Sequence, residues 1–320
     1  MKSSLMGAVA ALVFVTVPSA WAQGYPSKPI RVIVPFTPGA ATDNMARVIA
    51  QRVSESLRQP VVIDNRAGGG GSIGAAMAVQ ATPDGYTLII FSTSYATNAA
   101  LYKLSYDPVN DIQPIIKIGE TGIGIASHSS MPIKTVKELI AYAKANPGKL
   151  NYGSAGVGST AHLAGELFNL EAKVDLTHVA YRGASQALND LIGGQIQLLT
   201  AQLPSIIPHA QSGRLRAIGV TTAKRSRVLP DVPTVGETVP GYEVATWFGL
   251  WGPKGLPKEV VARWNKEVET ALLADEIRKR LAGEELEPAG GSPEQFLITI
   301  RGEVAKWKRV VKEAKITLPD

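Results

Sequence analysis

With 320 residues, of which 45% are hydrophobic and 19% charged, the chain has a globular composition and enough length to bury a sizeable core, usually as two domains. Its formal charge of +6 comes from basic residues scattered among acids, which argues against nucleic-acid binding and suits a mild field that draws in a small anion. The absence of cysteine excludes a disulfide scaffold, thiol chemistry and a lipid-modified cysteine anchor.

Met1 to Ala22 reads as a secretory signal peptide. Lys2 precedes an apolar run from Leu5 to Val17, too short for the roughly 20 residues that span a bilayer, and Ala20 and Ala22 form an A-x-A cleavage pattern. Cleavage is expected between Ala22 and Gln23, leaving about 298 of the 320 residues. No later segment is long and apolar enough to cross a membrane, so a periplasmic or extracellular location is expected.

The stretch from Ile30 to Ala50 organises the rest. Ile30, Val32, Ile33 and Val34 form a β-branched run suited to a buried parallel strand, ended by Pro35 and Pro38, which supply no ladder donor. Gly39, Ala40 and Ala41 leave the backbone bare, Thr42 or Asp43 is the expected N-cap, and Met45, Val48, Ile49, Val53 and Leu57 recur along one helical face. A helix that starts there presents unpaired, partly positive N–H groups, which can hold a carboxylate or phosphate without lysine or arginine. The plainer reading is an ordinary strand-to-helix connection.

Val61, Val62 and Ile63 form a second strand, followed by the glycine run Gly68 to Gly71. Gly69, Gly71 and Gly74 fit G-x-G-x-x-G, but no acidic residue closes the next strand to hold a ribose. Gly70, Ser72 and Gly74 fit G-x-S-x-G, yet a long loop separates Ser72 from the strand, against a nucleophile elbow. A loop whose amides approach a ligand, or that simply packs tightly, fits better. The strand from Tyr86 to Phe91 opens into the hydroxyl-rich Ser92, Thr93, Ser94 and Tyr95, at the end of a strand where ligands gather in parallel sheets. Asp107 to Ile112 is a loop, and the apolar strand Ile115 to Ala126 is placed as the crossing into a second domain.

A second round of the same logic follows. Thr135 to Ala145 is helical, closed by Asn146, Pro147 and Gly148, and Leu150 to Tyr152 is a short strand. The turn from Gly153 to Thr160 is rich in glycine and hydroxyls, with Ser159 or Thr160 capping a helix marked by Leu163, Leu167 and Leu170. Two such turns in successive α/β units point to a ligand held between domains. Thr177 to Ala180 is a strand leading to Tyr181, Arg182 and Gly183, and then to a helix through Leu188, Leu191 and Ile192. Ile196 to Thr200 and Leu215 to Thr221 are further strands.

From Lys224 to Gly252 the proline-punctuated chain reads as an irregular return to the first domain, with Tyr242, Trp247, Phe248 and Trp251 as core packing. Helices over Pro257 to Leu273 and from Ser292 to about Lys315 pad that domain, the latter opened by a capping box. His128, His162, His178 and His209 lie too far apart for a metal site by local spacing. His162 falls in the first turn of its helix, either orienting the serine turn or, preferably, as a partly buried helix residue.

Together, YPSKPIRVIVPFTPGAATD (Tyr25 to Asp43), VVIDNRAGGGGSIGA (Val61 to Ala75), PDGYTLI (Pro83 to Ile89), NYGSAGVGSTAHLAGELF (Asn151 to Phe168), VAYRGASQALNDLIGGQI (Val179 to Ile196) and LPDVPTVGE (Leu229 to Glu237) closely resemble the Bug-type, or TctC-type, periplasmic solute-binding proteins of tripartite tricarboxylate transporters. The resemblance implies an α/β, two-domain periplasmic binding protein of type II, a Venus flytrap with two crossing inter-domain segments. Domain 1 would comprise 23–121 and 245–320, and domain 2 would comprise 122–244. It implies a small carboxylate held by Phe36, Gly39, Ala40, Ala41, Thr42 and Asp43 in one loop and by Ser154, Gly156, Gly158, Ser159 and Thr160 in the other, with Tyr181, Gly183 and Ala184 on the border. Ser92 and Ser94 join this set from their place at a strand end. Ala40 stands where many relatives carry glycine.

The expected function is capture of a small carboxylate and delivery to the membrane subunits of such a transporter, by a monomer without cofactor, metal or enzymatic activity. Alternatives are a ligand sensor that addresses a membrane signalling partner, and a secreted serine hydrolase using Ser72 or Ser154.

Overall fold

In the computed structural model, residues 24–36, 38–39, 41–181, 183–283 and 285–317 are described. The signal peptide with its cleavage site, Ala40 and Arg182 lie outside the described residues.

The first half of the chain alternates strand and helix: β1 (Ile30–Val34), α1 (Ala41–Leu57), β2 (Val61–Asn65), α2 (Ser72–Val79), β3 (Thr87–Ser92) and α3 (Ser94–Leu101). β1 pairs in parallel with both β2 and β3, in keeping with its largely β-branched sequence. α1 begins at Ala41, so Thr42 and Asp43 lie inside its first turn and neither is the N-cap. The hydroxyl-rich segment at the end of the strand runs from Ser92, the last residue of β3, through the Thr93 N-cap into α3, which starts at Ser94.

β4 (Ile112–His128), 17 residues long, follows. Beyond it come α4 (Val136–Ala145), β5 (Leu150–Ser154), α5 (Thr160–Ala172), β6 (Leu176–Ala180), α6 (Ala184–Ile192), β7 (Leu198–Gln202), α7 (Leu203–Gln211) and β8 (Leu215–Val220). The last part holds β9 (Ala245–Pro253), α8 (Lys258–Leu273), α9 (Asp275–Gly283), β10 (Glu287–Gly290) and α10 (Pro293–Glu313). β9 corrects the irregular reading of that stretch: it is a central strand, antiparallel to β3 and β4, and its backbone is paired on both edges.

The sheet order is β2-β1-β3-β9-β4-β7-β5-β6, with β8 and β10 also on β4. β4 changes partners midway. From Ile112 to Gly122 it pairs with β9, and from Ile123 to Ser127 with β7. On one face of the first half, Ile30, Val32 and Val34 pack with Met45, Ile49 and Val53 of α1 and Trp264 of α8. On the other, Phe91, Tyr95 and Trp251 pack with Phe296, Ile300 and Trp307 of α10, and this cluster continues into Tyr152, Leu163, Leu167 and Phe168 of the second half. α10 therefore touches both halves rather than padding one. Gly249 permits that packing, because a Cβ there would fall 2.0 Å from the Phe296 ring.

Candidate functional site

The first turn joins β1 to α1. Gly39 turns the chain with φ +81°, and its N–H donates to Asp43 Oδ2 at 2.9 Å. The same oxygen accepts from Arg47 Nε at 2.9 Å, and Asp43 Oδ1 accepts from Asn65 Nδ2 at 2.9 Å. Asn65 Nδ2 also donates to the carbonyl of Phe36 at 3.0 Å. Burial opposes the charge on Asp43, but hydrogen bonds from Arg47, Asn65 and Gly39 outweigh it and hold the carboxyl below its ordinary range. Asp43 is thus the internal brace of the turn, and Arg47 offsets its charge beside a helix N-terminus suited to an anion. Phe36 stands edge-on to Phe91, with ring centroids 5.5 Å apart, while Ala41 is half-buried and Thr42 buried.

The second turn joins β5 to α5. Ser159 caps the helix, its Oγ accepting from His162 N at 3.1 Å, and its carbonyl accepts from Leu163 N. The N–H groups of Thr160 and Ala161, which precede the first helical acceptor, have no partner among the described residues. Thr160 Oγ1 is buried beside them, also without a protein partner. Gly156 (φ +115°) and Gly158 (φ +81°) give the turn its shape. Ser154 Oγ accepts from Gly156 N and lies 2.7 Å from His178 Nε2, and His162 Nδ1 accepts from Gly158 N at 3.2 Å. His162 and His178 stack with ring centroids 3.9 Å apart. Burial, with His178 adding to it, lowers the pKa of His162 to about 3, and burial lowers that of His178 to about 4, so both are neutral bases at ordinary pH.

Of the three predicted border positions, Tyr181 contacts this second turn. Tyr181 N donates to the Ser154 carbonyl, the Tyr181 hydroxyl donates to Asp190 Oδ2 at 2.7 Å, and Gly183 and Ala184 open α6. α3 ties the second turn to the glycine loop that precedes α2. Thr97 Oγ1 donates to the carbonyls of Ser94 and Gly158, while Asn98 Nδ2 donates to that of Gly70 in the loop packed on Phe91. Ser92 and Ser94 are buried at the base of this link. Unpaired helix-start amides and hydroxyls are groups that can hold a carboxylate by its charge and oxygens.

A family model described as the tripartite tricarboxylate transporter family receptor (TctC) matches residues 45–316. The chain belongs to this receptor family. It is similar to the Protein BugT of Bordetella pertussis, with 34% identity over 91% of each chain. Its structure is similar to that of R. palustris Rpa4515 with adipate, at TM-score 0.85 and 40% identity over 92% of this chain and 99% of that one. It is also similar to MatC (Rpa3494) from Rhodopseudomonas palustris with bound malate, at TM-score 0.82 and 32% identity over 90% and 100% of the two chains.

For this TctC receptor chain, three residues of the site carried no signal in the sequence reading. Asn65 braces the first turn from β2, His178 faces Ser154 from β6, and Thr97 reaches across from α3. Register alone makes His178 visible in retrospect, since it pairs with Tyr152 two residues before Ser154. Two surface cavities, of about 440 and 400 Å³, lie beside β8 and at the back of the strand crossing. Neither is lined by the two turns.

Proposed function

We propose that this receptor captures a small organic acid between its two halves and hands it to a tripartite tricarboxylate-type membrane transporter. The observation that carries the reading is the start of α5, where two unpaired amides and the buried Thr160 hydroxyl stand together on a turn tied through α3 to the other lobe. Family members bound to adipate and malate support a carboxylate as the ligand. Phe36, Gly39, Ala41 and Thr42 would contribute from the first turn, Gly156, Gly158, Ser159 and Thr160 from the second, and Tyr181, Gly183 and Ala184 at the border. Asp43 and Ser154 would shape those walls rather than touch the ligand, because they are bonded within their own turns, with Ser92 and Ser94 behind them at the end of β3 and the start of α3.

In this reading the lobes comprise 23–121 with 245–320, and 122–244, hinged where β4 changes partners after Gly122 and where the chain returns at Ala245. The mature protein is an exported monomer that binds without turnover. A thermal-shift screen against mono-, di- and tricarboxylic acids tests it, since a ligand at a hundred times its Kd stabilises by about 2.7 kcal/mol. The expected result is a rise of several degrees for one class. No shift with any acid at saturating concentration would overturn the capture reading.

A further inference from the structure

We propose that the outer face of α10 is a docking surface for an anionic phospholipid bilayer. The inference rests on the delivery role above, since a receptor that serves a membrane carrier works beside such a surface. α10 buries Phe296, Ile300, Val304, Trp307 and Val310 against the body of the protein. Its opposite face is exposed, and there Ile298, Arg301, Ala305, Lys308 and Lys312 recur at three- and four-residue spacing in one stripe. Lys315 follows just past the helix end, and Arg309 stands at the stripe's edge.

Arg301, Lys312 and Lys315 form no ion pair among the described residues. Lys308 is near enough to Asp107 to help lower that carboxyl's pKa, without a hydrogen bond to it. Of the acids on α10, Glu303 is turned inward to Trp307, Glu294 lies at the far start of the helix and Glu313 lies off the stripe. The result is a convex, cationic ridge about 21 Å long, led by an Ile298 that is 69% exposed. A convex row without a groove suits a planar layer of phosphate headgroups, into whose boundary one apolar side chain can press.

Co-sedimentation of the mature protein with phosphatidylglycerol-phosphatidylcholine vesicles, against pure phosphatidylcholine vesicles, tests the proposal. Binding is expected only to the anionic vesicles and to weaken as salt rises. Each cation held at such a surface contributes roughly fivefold, so Arg301→Gln, Lys308→Gln, Lys312→Gln and Lys315→Gln combined should lower binding on the order of a hundredfold or more. A control with the same charge change on the second lobe, Lys137→Gln, Lys144→Gln, Lys149→Gln and Lys173→Gln, should retain most of it. Equal loss in both variants would overturn the proposal in favour of net charge alone, and so would absence of binding to anionic vesicles or an undiminished α10 variant. Carboxylate-induced thermal shifts of the α10 variant should match the native protein, so a failure of docking and a failure of ligand capture are told apart.

Discussion

The hydroxyl of Thr97 donates to the carbonyl of Gly158 at 2.7 Å, a bond that ties α3 to the glycine turn ahead of α5. The N–H of Gly158 is held in turn by His162 Nδ1, so both sides of this residue are fixed just ahead of the open amides of α5. Thr97→Val keeps the shape but strands a buried carbonyl. It should cost about 1–3 kcal/mol of stability. In a titration with whichever acid the thermal screen identifies, affinity should fall severalfold. An unchanged affinity would show that the turn holds its form without α3.

Gly158 itself tests the shape of the turn. At φ +81°, an L-residue is strained, and a Cβ there would lie 3.1 Å from Leu101 Cδ1. Gly158→Ala should therefore destabilise the protein by about 1–2 kcal/mol through the left-handed backbone alone. Carboxylate affinity should fall further than in Thr97→Val, because the strain acts on the peptide that positions Thr160. Paired urea unfolding and binding titrations measure the two effects separately.

The buried imidazoles set an acid sensitivity. His162 and His178 titrate near 3 and 4 in the folded protein but near 6.5 when unfolded, so between those limits the unfolded chain binds more protons. Their contribution is intact above pH 6.5 and is lost as pH falls towards 4, at about 1.4 kcal/mol per pH unit for each proton. Glu166, which accepts from the Tyr152 hydroxyl and faces His162, works against this: burial raises its pKa, so it favours the folded state as pH drops. Melting temperature should nonetheless decline from pH 6.5 to 4, and His178→Asn should flatten the slope.

Asp43 accepts from three donors while almost fully buried. Asp43→Ala removes the acceptor of the Gly39 N–H and leaves Asn65 Nδ2 only the Phe36 carbonyl, and hydrogen bonds to a charged group are worth about 1.5–3 kcal/mol, so a loss of that order is expected in urea unfolding. Asp43→Asn retains one acceptor and should lose less. A ligand titration of either variant should show weakened binding, since the first turn then lacks its brace.

Local pattern was enough to find β1, α1, β5 and α5, because their apolar spacing and bare turns lie within one window of sequence. It gave no helix for α7, which carries Pro204 in its first turn, where no intrahelical N–H is needed, and Pro208 inside. It failed for α3, whose small and hydroxyl residues give no apolar stripe, and for β9, where prolines and aromatics hid a strand paired on both edges. The candidate ligand turns were legible for the same reason as the helices they open. Their braces were not, since Asn65 is 22 residues from Asp43 and Thr97 is 61 from Gly158.

Ser154 and His178 stand 2.7 Å apart, the spacing of a serine activated by an imidazole, and this pair decides between capture and hydrolysis. Ser154 is fully buried, its Oγ accepts from Gly156 N and it contacts the Gly156 carbonyl, while the His178 ring is stacked on His162. A nucleophile must reach a substrate carbonyl, and this oxygen faces its own turn. A fluorophosphonate should therefore label neither Ser154 nor Ser72. Ser154→Ala should cost about 1–3 kcal/mol, by stranding the Gly156 N–H, and should weaken carboxylate binding without abolishing any turnover. Labelling at Ser154 that disappears in the variant would return the protein to the hydrolases, because only an exposed and activated oxygen could react.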